Sequence, residues 1–256
     1  MPLPTRVIIR AIESCTGRSE LKRRYSHYQQ KAQNIDGRKL WDLALDTLGL
    51  HGKSTNDFKL PERDKTKGLL IVANHPFGVI DGIVLAWIAS RIDPNFRIIA
   101  NGVLRQEPTL NPNILPIEFS PKKIAIKKNI ESRRFSINRL KEGGVVAIFP
   151  AGAVSWSKTR NGPIEDDDWK PMVGRLINAS KCDVLPVKFS GANSQLFQLA
   201  SRTALSLRLG LYLRESRRCL DNPIEFKICP LLKNSELPKI SDKNLAHWLR
   251  DLVIKS

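Results

Sequence analysis

Apolar positions in this chain form short unbroken runs, set between longer stretches that are apolar on one side only. Residues 69–73, Leu-Leu-Ile-Val-Ala, are too few for a helix and enough for a strand buried on both faces. Comparable runs at 97–100, 114–119, 145–149, 184–189 and 224–229 read as further strands. Between them the spacing becomes helical at 81–92, 122–142, 171–181, 195–215 and 245–253. Ile126, Ile130, Ile137 and Leu140 share one face of 122–142, and Leu196, Leu199, Ala200, Leu207 and Leu211 share one face of 195–215. Pro94 marks the exit of the helix at 81–92, and Gly143-Gly144 stops the one at 122–142. Residues 101–113 hold two prolines and three asparagines and read as a loop. Pro186, inside a strand, marks an edge or a bulge. Strands alternating with helices predict an α/β fold with a mainly parallel central sheet flanked by helices.

Ahead of the strand at 69–73 the pattern is helical and basic. Val7, Ile8, Ala11, Ile12 and Cys15 lie near helical spacing up to Gly17. Residues 21–32 carry Tyr25 and Tyr28 among basic side chains, and 40–48 form an apolar-rich helix stopped by Gly49. Residues 1–40 hold nine Lys/Arg against three Asp/Glu, a net +6. This N-terminal basic helical pair, residues 1–55, suits a membrane surface, and equally an ordinary helical cap with a solvated basic face. Residues 51–67 are a polar connector, and 56–256 form the α/β domain.

Composition narrows the partners. The chain has 256 residues and a formal net charge of +17, which calls for an anionic partner: nucleic acid, an anionic membrane surface, or an acidic or phosphorylated carrier. No homeodomain, zinc-finger, RRM or KH signature accompanies the charge, so no specific nucleic acid is expected. The longest uncharged run, 143–157, is broken by Pro150, so no spanning helix is expected. Residues 1–10 are too short in apolar content for a secretory signal. The four cysteines form no C-x-x-C pair and no zinc spacing, and read as reduced thiols of a cytosolic compartment.

Chemistry concentrates after the strand at 69–73. Asn74-His75-Pro76-Phe77-Gly78 is a loop, and Asp81 follows His75 by six residues. A buried strand thus carries an imidazole and a carboxylate to its C-terminal end, where open α/β sheets build their sites. A carboxylate on one imidazole nitrogen fixes the tautomer and leaves the other nitrogen to act as a base. The same pair also fits a turn-capping histidine and an aspartate that N-caps the next helix. A second loop, Phe149-Pro150-Ala151-Gly152-Ala153-Val154-Ser155, follows the strand at 145–149 and offers backbone N–H groups and a hydroxyl to a phosphate or an oxyanion. It is not a Walker loop, and no G-x-S-x-G elbow surrounds Ser190 or Ser194.

With Val184-Leu185-Pro186-Val187, these stretches resemble the blocks of the glycerolipid acyltransferase superfamily, the 1-acylglycerol-3-phosphate acyltransferases, in order and separation. Asn74 to Gly82 resembles the catalytic block, Phe149 to Gly152 the F-P-E-G block, and Val184 to Val187 the V-I-P-V block. The detail is closest to the bacterial putative-hemolysin and lyso-ornithine-lipid acyltransferase branch, including Asn193 to Gln198, Arg202 to Leu205, and Asp168-Trp169. The similarity runs from about residue 5 to 232. It implies transfer of a fatty acyl group from acyl carrier protein or acyl-coenzyme A to the hydroxyl of a lysolipid, with His75 as general base and Asp81 orienting it. It also implies a substrate-binding set of Asn74, Pro76, Phe77, Gly78, Arg105, Phe149, Pro150, Gly152 and Ser155, no cofactor and no metal. It places the protein peripherally on the cytoplasmic face of the inner membrane. Two departures stand out: five residues rather than four separate His75 from Asp81, and Ala151 replaces the acid of F-P-E-G. The alternatives are a non-catalytic basic protein of membranes or nucleic acid, a lipid-A-type acyltransferase, and a thioesterase using the same pair on water.

Overall fold

The computed structural model describes residues 18–256 apart from 34, 36, 56–58 and 119–121. The helix expected over Val7 to Cys15 lies outside the described residues. The chain folds as an α/β protein with eight α-helices and one seven-stranded sheet among the described residues. The sheet order is β1-β7-β6-β2-β5-β3-β4. Its strands are β1 (His51–Ser54), β2 (Leu69–Ala73), β3 (Arg97–Asn101), β4 (Ile114–Ile117), β5 (Val145–Ile148), β6 (Asp183–Phe189) and β7 (Pro223–Ile228). The helices are α1 (Arg18–Ala32), α2 (Arg38–Leu48), α3 (Val79–Ile92), α4 (Lys123–Lys141), α5 (Met172–Ser180), α6 (Gln195–Thr203), α7 (Leu205–Cys219) and α8 (Asp242–Lys255).

Every residue of β2 is buried, as its unbroken apolar run requires. Alternation then splits the core into two layers. Leu69, Ile71 and Ala73 join Trp41 and Leu45 of α2 and Val84, Leu85 and Ile88 of α3 on one face. Leu70 and Val72 join Val173, Leu176 and Ile177 of α5 and Leu245, Leu249 and Val253 of α8 on the other. Strands β6, β2, β5, β3 and β4 run parallel, so their C-terminal ends share one rim. Strand β7 runs antiparallel to β6, and β1 parallel to β7.

Pro186 sits in a strand flanked on both sides, so it is no edge, and its own strand keeps regular register with β2; the irregularity lies in the segment opposite it. The ladder steps from Val187↔Ile228 to Val184↔Leu232, one residue more on the partner side. Three further expectations need correction. The connector at 51–67 contains strand β1, whose His-Gly-Lys-Ser sequence carries no apolar signal. The helix expected over 195–215 is two helices, broken at Ala204, which is extended at φ −155°. The break lets Phe197 and Ala200 of α6 and Leu211 and Tyr212 of α7 close around Val154, and leaves Leu196, Leu199 and Leu207 exposed. On α4 the buried face runs through Ala125, Ser132, Ser136 and Leu140, while Ile126 and Ile130 face outward. No helix among the described residues is long and apolar enough to cross a membrane.

Candidate active site

The loop after β2 crosses the C-terminal rim of the sheet and is tied to both neighbouring strands. Asn74 braces it to β6: its Oδ1 accepts from the Phe189 N–H at 2.7 Å, and its Nδ2 donates to the Phe189 carbonyl at 2.9 Å. His75 is fixed by its own backbone, which donates to Asp166 Oδ1 at 3.0 Å and accepts from the Ser155 N–H at 2.7 Å. Its ring stacks on Phe149, centroids 4.0 Å apart and planes 22° from parallel.

Nδ1 of His75 lies 3.0 Å from Oδ1 of Asp81. In distance this is an ion pair, without the alignment of a straight hydrogen bond, and neither atom has another hydrogen-bond partner among the described residues. Asp81 is wholly buried, whereas 17% of the His75 side chain stays open. The second oxygen of Asp81 accepts from the Phe77 N–H at 2.8 Å. Asp81 therefore does not cap α3; the cap position is Gly78, at φ 92°, and the carboxylate sits in the first turn near the positive helix end. That positive φ lets the loop absorb its extra residue. A Cβ on Gly78 would meet Val154 at 3.3 Å and Tyr212 at 3.4 Å. Burial pushes the His75 imidazole down, but the charge of Asp81, its contact with Nδ1 and the charge of Asp166 outweigh it, leaving His75 above its ordinary pKa.

Asp166 joins the site without having stood among the residues expected from sequence. Buried behind the loop, its Oδ1 also accepts from Ser155 Oγ at 2.5 Å, and its Oδ2 from Trp169 Nε1 at 2.8 Å. Burial pushes this carboxyl up against those donors. The excursion that delivers it is closed by an antiparallel bridge between Trp156 and Glu165. Arg250 of α8 holds its carbonyl from outside at 2.5 Å. The only signal in the sequence is the acidic run Glu165 to Asp168 ahead of Trp169, in an otherwise basic chain.

Of the substrate-binding set, the structure gathers Asn74, Pro76, Phe77, Gly78, Phe149, Pro150, Gly152 and Ser155 at this rim. Pro76 and Pro150 are buried, and the Pro150 carbonyl accepts from the Lys170 N–H at 3.0 Å. Phe77 lies over Gly191, where a Cβ would come within 2.7 Å of the ring. The Gly152 N–H is engaged with the Phe149 carbonyl at 3.1 Å, and the Ser155 hydroxyl with Asp166. Arg105 is not brought in: it is exposed on the turn after β3, and its Nε donates to Asn111 Oδ1 at 2.6 Å. Arg208 and Tyr212 of α7, which carry no motif of their own, also reach this rim. Arg208 Nη2 donates to the Val154 carbonyl at 2.6 Å, beside the loop that fixes His75. Among the described residues no group of three or more His, Cys, Asp and Glu could hold a metal ion.

A family model described as "Acyltransferase" matches residues 33–217. A lyso-glycine lipid O-acyltransferase of Phocaeicola vulgatus is 32% identical over 145 residues, 54% of this chain and 46% of that protein. One of Bacteroides thetaiotaomicron is 32% identical over 128 residues, 49% of this chain and 44% of that protein. The matched stretch thus spans less than half the length of each relative.

Proposed function

We propose a function from one premise: the chain belongs to the acyltransferase family whose model it matches over residues 33–217. The protein transfers a fatty acyl group from a thioester to the hydroxyl of a lysolipid. One observation carries this reading: the 3.0 Å contact between His75 Nδ1 and the buried Asp81 carboxylate, at the open end of a parallel sheet. The relatives' names point to a lyso-glycine lipid, an acceptor built on an amino acid, and Ala151 in place of the F-P-E-G acid fits an acceptor other than lysophosphatidic acid.

Each residue has a role in that reaction. Asp81 holds Nδ1 and stabilises the imidazolium, which leaves Nε2 of His75 to take the proton of the acceptor hydroxyl. The acceptor oxygen attacks the thioester carbonyl, a C–O bond forms and the C–S bond breaks. The departing thiolate takes the proton back from His75. Phe149 keeps the ring in plane, and Asp166 keeps the His75 backbone in place. Backbone N–H groups at the start of α3, near Gly78, are the donors best placed for the tetrahedral oxyanion, since that of Gly152 is engaged. The donor is acyl carrier protein or acyl-coenzyme A, both anionic and suited to a +17 chain. The basic N-terminal region, residues 1–55, adds to the positive surface offered to an anionic membrane, on the cytoplasmic face of the inner membrane.

The test is to incubate the protein with acyl carrier protein and coenzyme A thioesters and a panel of lysolipids, and to read the products by mass. An O-acylated lysolipid from the wild type, absent with His75→Ala, is the expected result. Free fatty acid alone, with every acceptor left unacylated, would instead make the protein a thioesterase.

A further inference from the structure

A cation beside the His75–Asp81 pair has no part in the chemistry above. Arg208, early in α7, is half-buried. Its Nη2 donates to the Val154 carbonyl at 2.6 Å, and its guanidinium carbon lies 5.5 Å from the Phe197 ring and 6.0 Å from that of Trp156. These contacts fix the guanidinium without neutralising it. No carboxylate among the described residues forms an ion pair with it, whereas Arg214 and Arg218 of the same helix both pair with Glu215. A guanidinium is planar and always charged, and one held partly out of water gains most from an oxyacid anion that it can meet with two donors.

Its position ties it to the reacting centre. Val154 precedes Ser155, whose N–H holds the His75 carbonyl. The charge of Arg208 reaches the imidazole and opposes its protonation. One turn further along α7, Tyr212 packs at Gly78, and burial pushes its hydroxyl up in pKa against the charge and hydrogen bond of Arg208. Meanwhile Arg105, expected in the substrate-binding set, lies apart from this rim, and the loop after β5, residues 149–155, carries no acid. Arg105 is exposed and bonded to Asn111, and the F-P-E-G acid is Ala151.

We propose that Arg208, with Tyr212 beside it, binds the acidic head group of the acyl acceptor, an oxyacid anion such as the carboxylate of an N-acylated amino acid. The proposal rests on the lysolipid reading above. It makes α7 the element that selects the acceptor, while the loops after β2 and β5 carry the chemistry.

The test measures equilibrium binding, which needs no turnover. The full chain is titrated with N-palmitoylglycine and with its methyl ester, both below micelle formation. The wild type is expected to bind the acid about tenfold more tightly than the ester, the worth of a hydrogen bond to a charged group. Arg208→Gln should bind both alike, and Arg208→Lys should keep part of the preference. Equal binding of acid and ester by the wild type, together with equal binding of lysophosphatidic acid and monoacylglycerol, overturns the proposal without any variant. So does a preference that survives in folded Arg208→Gln. An Arg208-dependent preference for lysophosphatidic acid over monoacylglycerol, with none for N-palmitoylglycine, supports the site and identifies its anion as phosphate. Should no lysolipid be acylated in the turnover assay, the acyl-transfer reading fails while this binding result still stands on its own.

Discussion

His75 is held from four directions: its N–H on Asp166, its carbonyl on Ser155, its ring face on Phe149 and its Nδ1 on Asp81. Such fixing matters because a general base contributes only when it meets the proton in the right place. Replacing His75 by Ala should lower acyl transfer roughly 10²–10⁴-fold while the thermal unfolding curve stays cooperative. Near-wild-type turnover in that variant would remove His75 from the mechanism. The pH dependence comes from the sign of the shift. His75 lies above its ordinary value, so the neutral base accumulates, and kcat/KM rises, only as pH passes above the usual histidine range near 6.5. The same pair contributes stability that is full below that range and is lost as pH rises through the raised value. Asp81→Asn removes the main group that raises His75, and burial then prevails. Its activity limb should therefore move to lower pH while its maximum falls; an unmoved limb would mean that another group titrates. Asp166 makes a different prediction. Its carboxylate accepts from His75 N–H, Ser155 Oγ and Trp169 Nε1, so Asp166→Ala strands three donors. Each stranded buried donor costs about 1–3 kcal/mol, and denaturant unfolding should show a loss of several kcal/mol.

Among elements, the loops that carry His75 and Ser155 are legible in the sequence because they come after β2 and β5, whose apolar runs are unmistakable and whose ends are abrupt. The His75–Asp81 contact is legible too, since the positive-φ glycine at 78 absorbs the extra residue. Strand β1 is not: a half-exposed edge strand of four polar or small residues has no hydrophobic period to read. Nor are the α4 and α6–α7 faces, for a different reason. Isoleucine and leucine at helical spacing signal a buried face only if a partner element covers it, and periodicity does not say which stripe is covered. On α4 the covered stripe is Ala125, Ser132, Ser136 and Leu140, with Ser132 and Ser136 spending their hydroxyls on nearby carbonyls. Asp166 is hidden because its partners, a backbone N–H, a hydroxyl and an indole, converge only in three dimensions. The loop itself is testable at Gly78. Gly78→Ala places a Cβ at φ 92° against Val154 and Tyr212, which should cost about 1–3 kcal/mol in denaturant unfolding. Activity should fall further than stability alone explains, because the strain lies between His75 and Asp81.

For the molecule as a whole, parallel pairing fixes where surfaces stand relative to the site. Strands β2, β5, β3 and β4 lie side by side and end at one rim, and α4 starts just beyond the end of β4. The first turns of α4 therefore follow an edge strand that lies three positions from β2 in the sheet and ends at the same rim. Those turns expose Ile124, Ile126 and Ile130 among Lys123, Lys127 and Lys128. Basic residues interspersed with exposed isoleucines, on the same rim as His75, suit contact with an anionic bilayer. Basic side chains near such a surface are worth about 1 kcal/mol each, and salt screens them over a Debye length of about 10 Å at 0.1 M. The protein should sediment with phosphatidylglycerol vesicles in 0.1 M salt and be released as salt approaches 1 M. The double change Lys123→Glu with Lys127→Glu should weaken vesicle binding at low salt by at least tenfold. Folding should not change, since both side chains are exposed. Binding that ignores salt would point to apolar insertion through the isoleucines instead, and Ile124→Ser with Ile126→Ser would then be the pair that abolishes it. Binding unaffected by either pair would move the contact surface off α4 altogether, to the basic face of α1.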